Sequence, residues 1–175
     1  MNEGLFRAKE LTQPSKWRFG HYYNQVMITP NPVRSNSQSI EEYQKEIEDN
    51  TEHYLIFTHD MDWNLPTQLF RCRIDPKTLG QETGFRDKNG KKVYAGDIIK
   101  STSEILANFG QTRTGKYSSS TYEVAWDKQK CRWIERLIES DQKSRTPGYE
   151  SDIVAELIPK YYEVIGNIHD KEPSQ

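Results

Sequence analysis

The stretch Thr83–Lys100, TGFRDKNGKKVYAGDIIK, constrains the fold more than any other. Asn89-Gly90 is a strong two-residue hairpin signal, because a type I′ turn needs positive φ at both central residues and Asn-Gly tolerates this best. Phe85 precedes the pair, and Val93 and Tyr94 follow it. Gly96-Asp97 punctuates the chain again, and Ile98-Ile99 starts a new apolar run. The stretch predicts strand, tight turn, strand, turn, strand, and so a β protein.

The flanking sequence extends this reading. Leu5–Leu11 is a short strand candidate closed by Pro14-Ser15, and Trp17–Ile28 is a longer one with Trp17, Phe19, His21 and Tyr23 on one face. Gly20 inside it predicts a bulge or bend. Residues 29–39 carry Pro30 and Pro32 and read as a loop. Ser39 with Glu42 forms a capping-box pattern that opens a helix to Asp49, with Ile40, Tyr43 and Ile47 on one stripe. Strands are expected at His53–Thr58 and Leu69–Ile74, joined by a turn-rich connector over Asp60–Pro66. Beyond the central hairpin, Ser101–Ser120, with polar, Gly- and Ser-rich ends around Ile105, Leu106 and Phe109, reads as a long hairpin loop joining two strands. Tyr122–Trp126 and Cys131–Ile138 form a hairpin turned by Asp127–Lys130, and a polar loop spans Asp141–Glu150. Ser151–Ile158 reads as a short helix stopped by Pro159, and Tyr161–Ile168 as the last strand.

Composition narrows the function classes. At 175 residues one domain is the expectation, with residues 1–78 as a β-rich N-terminal part and 79–168 as the main body. Hydrophobic residues make up 34% and mean hydropathy is -0.93, so the core is lean, and aromatic rings are expected to supply much of it. The net charge of -2, with both signs interspersed, lacks the basic excess usual in a dedicated nucleic-acid binder. No apolar run is long enough to span a membrane, and the N-terminus lacks the pattern of a secretory signal. Cys72 and Cys131 are far apart and in no metal-ligand spacing, which points to a reduced, cytoplasmic protein with both thiols in strands.

No catalytic motif is present in the sequence, and no cofactor is expected. His59, Asp60 and Asp62 are the one run resembling a metal or acid–base cluster, but such a run is more often a solvated turn. Arg86, Lys88, Lys91 and Lys92 surround the hairpin tip and are candidate contacts for a partner, including phosphate, although charges near a tight turn are exposed in any case. Trp17, Trp63, Trp126 and Trp133, with Tyr22, Tyr94, Tyr117 and Tyr122, could line a peptide groove, but rings at alternating strand positions are more often core. Trp63 is the outlier, since it falls in an expected loop, and it joins the candidate contacts. Asp97 is expected to bond backbone amides in its turn, and Gly166-Asn167 to mark a bulge.

Three ordered segments carry a family resemblance. TGFRDKNGKKVYAGDIIK resembles the signature of the phage-associated YopX family, Gly80-Gln81 before Thr83 is similar to its GQ-x-TG lead, and Tyr162–His169 is similar to its closing YEVIGNIYE segment. Phe6-Arg7-Ala8 resembles the family's FRAW-type start, with Lys9 where Trp is usual. The resemblance implies a mainly β protein with an SH3-like barrel, of phage or prophage origin. With no catalytic constellation, the expectation is a non-catalytic binding or assembly module whose partner is another protein or a second copy of itself. A nucleic-acid-binding accessory protein is the alternative, and a metal-dependent enzyme using His59, Asp60 and Asp62 comes third.

Overall fold

The computed structural model describes residues 5–27, 39–59, 68–107, 111–142, 144–153 and 158–170. The protein is mainly β, with antiparallel strands and, among the described residues, two α-helices, and it divides into two compact units, Met1–Leu79 and Gly80–Gln175.

The first unit holds β1 (Phe6–Lys9), β2 (Trp17–Val26), α1 (Ile40–Asp49), β3 (Thr51–His59) and β4 (Gln68–Arg73), its strands lying in the order β4-β3-β2-β1. Its buried centre is Ala8, Leu55 and Ile74, enlarged by Phe6, Tyr22, Cys72 and Leu79. The helix begins as its sequence requires. Ser39 Oγ accepts the Glu42 N–H at 3.1 Å while Glu42 Oε2 accepts the Ser39 N–H at 2.8 Å, so two otherwise unbonded amides are satisfied together. Of the expected apolar stripe, Tyr43 and Ile47 are half-buried and Ile40 is exposed. Gly20 does not mark a bulge. The β1–β2 register runs unbroken from Phe6↔Gly20 to Lys9↔Trp17, and His21↔Ile56 continues into the pairing with β3. The glycine is needed because a Cβ there would collide with the Ile56 carbonyl oxygen.

In the second unit, β5 (Gly80–Arg86) and β6 (Lys92–Tyr94) form the central hairpin. The turn differs from the expected type I′. The Asp87 N–H bonds to the Lys91 carbonyl at 2.8 Å and the Gly90 N–H to the Asp87 carbonyl at 2.9 Å. Gly90 has φ +79°, while Asn89 keeps a negative φ. This is a three-residue loop with glycine in the left-handed position, the next commonest hairpin connection. The Asp87 side chain selects it: its Oδ1 accepts both the Asn89 and Lys91 N–H groups, at 2.8 and 2.9 Å.

A five-stranded antiparallel sheet completes the unit, in the order β10-β9-β8-β7-β11, from β7 (Asp97–Ala107), β8 (Thr112–Asp127), β9 (Arg132–Ser140), β10 (Glu150–Asp152) and β11 (Tyr162–Asn167). The sheet is open, ending on β10 and β11, and no closed barrel forms among the described residues. Val93, Ile99, Tyr122, Val124, Leu137, Ile158, Tyr162 and Val164 make the core. The bulge expected near Gly166 is present as a register shift between Val164 and Gly166 against β7. Asp97 is fully buried, and its Oδ2 accepts the Tyr94 N–H at 2.8 Å, a turn role as expected.

Three expectations fail here. Ser101–Ser120 does join two strands as a hairpin, but its arms are strand and not loop: β7 and β8 pair from Ser101↔Ser120 to Glu104↔Tyr117 and on to Ala107↔Thr112. Its Ser, Thr and Gly content reads as loop, but cross-strand pairing overrides local propensity. Ser151 and Asp152 are not helical. They lie in β10, opposite Glu135 and Ile134, and the Arg132–Asp152 ion pair at 2.5 Å joins the two strands. The helix α2 (Ile158–Tyr161) starts at the end of that stretch, with Pro159 in its first turn, where a missing N–H costs nothing. Cys131 is in the β8–β9 turn rather than a strand, exposed and at φ +50°. Cys72 is in β4, half-buried, and burial pushes its thiol pKa up.

Candidate functional site

Alternation along paired strands puts an apolar face and a hydroxyl-lined face end to end. Side chains two apart on a strand share a face. On β7 that face reads Ile99, Ser101, Ser103, and on β8 it reads Val124, Tyr122, Ser120, Ser118. The register sets Ile99 opposite Tyr122, Ser101 opposite Ser120 and Ser103 opposite Ser118. The core therefore gives way, one residue pair at a time, to small hydroxyl side chains. The space they leave is a cavity of about 480 Å³, within the range of small-ligand pockets. Glu135 and Leu137 of β9, Ser151 of β10 and Tyr162 of β11 close one side, and Gln142, Ser144, Arg145, Thr146 and Tyr149 close the other.

Hydrogen bonds fix much of this wall. Asp141 accepts the Ser118 hydroxyl at 2.6 Å and the Ser119 N–H at 2.7 Å, bonds that hold its carboxyl below the usual aspartate range. The Ser120 and Ser140 hydroxyls lie 2.8 Å apart. Arg145 donates through Nη1 to the Tyr122 hydroxyl. Glu135 accepts from Ser151 Oγ at 3.0 Å and from the Tyr162 hydroxyl. Burial pushes the Glu135 carboxyl above its ordinary pKa, against those two bonds and the Arg145 charge. The Tyr162 hydroxyl is also pushed up, by burial and by the neighbouring Glu135. The Tyr122 and Tyr162 rings sit 6.0 Å apart and tilted, forming a small apolar floor.

The residues singled out from sequence have other roles or lie elsewhere. At the hairpin tip Arg86 donates to the Gly90 carbonyl at 2.9 Å, Lys88 lies 2.7 Å from Glu163, and Lys92 lies 2.9 Å from Glu82. Lys91 is exposed, and its N–H is one of the donors to Asp87. The Lys88 N–H also bonds to the Tyr162 carbonyl at 3.0 Å, so the tip is tied to a strand that lines the pocket. Trp63, Asp60 and Asp62 lie outside the described residues, and His59 is the last residue of β3. Among the described residues no group of three or more His, Cys, Asp or Glu side chains could share a metal ion. Trp126 and Trp133 meet edge-on at 5.0 Å, Tyr94 and Tyr122 are buried, and Tyr117 is exposed on β8. No helix of the described residues is long and apolar enough to cross a membrane.

Of the pocket residues only Tyr122 stands among the sequence candidates, as a groove aromatic. The signal was available as serines two apart on both sides of a hairpin, but it is visible only once Ser101–Ser120 is recognised as paired strand.

The motif segments meet in this same unit. Asp87 Oδ2 accepts the Val164 N–H at 3.1 Å, and Gly96 is bonded to Val124 and Ile168 at 2.8 and 2.9 Å. A family model described as YopX protein matches residues 6–173. No curated protein matches the chain. The match spans nearly the whole sequence, and the chain belongs to the YopX protein family.

Proposed function

We propose that this YopX protein is a non-catalytic binding module of a phage or prophage, working in the host cytoplasm, and that it takes its ligand in the hydroxyl-lined pocket of the second unit. The observation that supports this is the pocket's construction: hydrogen-bonded side chains hold Ser118, Glu135 and Tyr162 in place around an open space. A binding site of fixed polar groups over an apolar floor is the usual form for recognition of a small ligand or a partner's side chain. We read the open five-stranded sheet together with the β5–β6 hairpin as the counterpart of the SH3-like barrel expected for the family. The engagement of Lys88 with Glu163 and of Lys92 with Glu82 favours the pocket over the hairpin tip as the recognition site.

The test compares the native chain with Ser101→Trp, which fills the pocket, by native mass spectrometry after recovery from prophage-induced cells. The native chain is expected to carry a bound species that the variant lacks, with both unfolding at similar denaturant concentrations. Identical recovered species from the two proteins would refute the reading.

A further inference from the structure

We propose that the pocket is selective for an uncharged, hydroxyl-rich ligand of the sugar or polyol class; this rests on the binding reading above. The lining chemistry comes first. A serine hydroxyl both donates and accepts, as does an alcohol of the ligand, whereas a purely anionic or purely cationic group matches only half of that capacity. Among the described residues the Ser101 and Ser103 hydroxyls have no side-chain or backbone partner, so their hydrogen-bonding capacity is open to a ligand. Ser118 spends its proton on Asp141 and keeps its acceptor lone pairs.

Charge argues in the same direction. The pocket brings one arginine, Arg145, and one carboxyl, Glu135, to its wall. An anion gains from the first and is opposed by the second, and a cation meets the reverse, so net charge of either sign is disfavoured, and a zwitterion able to pair with both is the competing class that the glycine control tests. Shape supplies the third element. Tyr149, two-thirds exposed, lines the opening, and the Tyr122 and Tyr162 rings lie beneath. A hydroxylated ring has polar edges and C–H faces, and aromatic side chains with a polar tip suit both.

The experiment titrates the full-length, isotope-labelled chain with glucose, cellobiose and glycerol, and separately with inorganic phosphate and glycine, following backbone amides by NMR. Glucose and cellobiose are expected to shift the amides of Ser101, Ser103 and Tyr149, with dissociation constants of about 1 mM, as befits a small neutral ligand with few contacts. Phosphate and glycine are expected to leave those amides in place. Ser103→Ala is expected to weaken glucose binding about tenfold, the loss of one hydrogen bond. Ser103 is exposed, so this substitution leaves the fold intact, and Tyr149→Ala provides an independent check on the ring contact. Equal or larger shifts with phosphate or glycine would overturn the ligand class. So would unshifted pocket amides with every hydroxylated probe. Neither result touches the broader binding reading, which falls only if the native and Ser101→Trp proteins recover the same species.

Discussion

Asp87→Ala should be among the most damaging single changes to the second unit. The carboxylate is 3% exposed and accepts three backbone N–H groups, from Asn89 and Lys91 within the turn and from Val164 on β11. Asn89 and Lys91 are exposed, so water replaces the carboxylate there at a cost of about 0.5–1 kcal/mol each. Val164 is buried, and stranding its N–H costs about 1–3 kcal/mol. The expected loss is about 3 kcal/mol, large against the stability of a typical domain. The assay is urea unfolding followed by circular dichroism at pH 7 and again near pH 3. Burial works against ionisation of Asp87, but the bonds from Val164, Lys91 and Asn89 and the Lys91 charge outweigh it and lower its pKa. A lowered folded-state pKa means that the stabilisation is complete above the unfolded value of about 3.9 and is lost as pH falls through the folded value. The gap between native and variant should therefore be constant from neutral pH to about pH 5 and narrow in stronger acid. A loss below about 1 kcal/mol at pH 7 would show that the carboxylate does not hold the turn to β11.

Three other outcomes follow from the same kind of reasoning. Ser39→Ala removes the acceptor of the capping box and should cost about 1 kcal/mol, read most cleanly as faster hydrogen exchange in the first turn of α1, which buries no residue. Gly20→Ala drives a methyl into the Ile56 carbonyl and should cost about 2–3 kcal/mol in thermal unfolding, whereas Gly115→Ala, with open space around it, should be limited to the strain of a positive φ. Glu135→Gln should raise stability at pH 7, because the raised folded-state pKa makes ionising Glu135 a cost in the native protein. That cost is absent below the unfolded pKa of about 4.3 and grows as pH rises toward the folded value, so the advantage of the variant should vanish in acid. An advantage that persists at pH 3 would contradict it.

What the sequence disclosed depended on the range of the interactions involved. The α1 cap was legible because Ser39 and Glu42 satisfy each other within one turn. The central hairpin was legible because its strands lie within a few residues of the turn. Its turn type was not, because the Asp87 carboxylate, and not Asn89-Gly90 alone, decides which amides are gathered. Ser151–Ile158 carries apolar residues at helical spacing, yet pairing with β9 claims its first residues, a choice set by Ser151–Glu135 and Arg132–Asp152 contacts between distant parts of the chain. The pocket was hidden for a related reason. Serine and threonine in number signal a loop, and only the partner strand shows that Ser101 and Ser103 face Ser120 and Ser118. Trp63 and the aspartates after His59 gave the sharpest local signals outside the hairpin, and they lie outside the described residues.

The motifs that mark the family and the residues that line the pocket are largely different sets, and the structure explains the division. The central segment and the closing segment meet as a clasp: Asp87 holds Val164, Lys88 holds Tyr162, and Gly96 holds Ile168. A side chain at Gly96 would press on Asn167 and Ile168, and its φ of +79° already favours glycine. These residues specify a frame, and any ligand chemistry compatible with that frame satisfies the motif equally well. Ser103, Glu135 and Arg145 line the pocket outside both segments, so on the binding reading proposed above a change of one hydroxyl or one charge there would alter what the pocket accepts without disturbing the clasp. Tyr162 is the exception. Its carbonyl belongs to the clasp and its side chain to the pocket, so it is the point where the hairpin tip can influence the site.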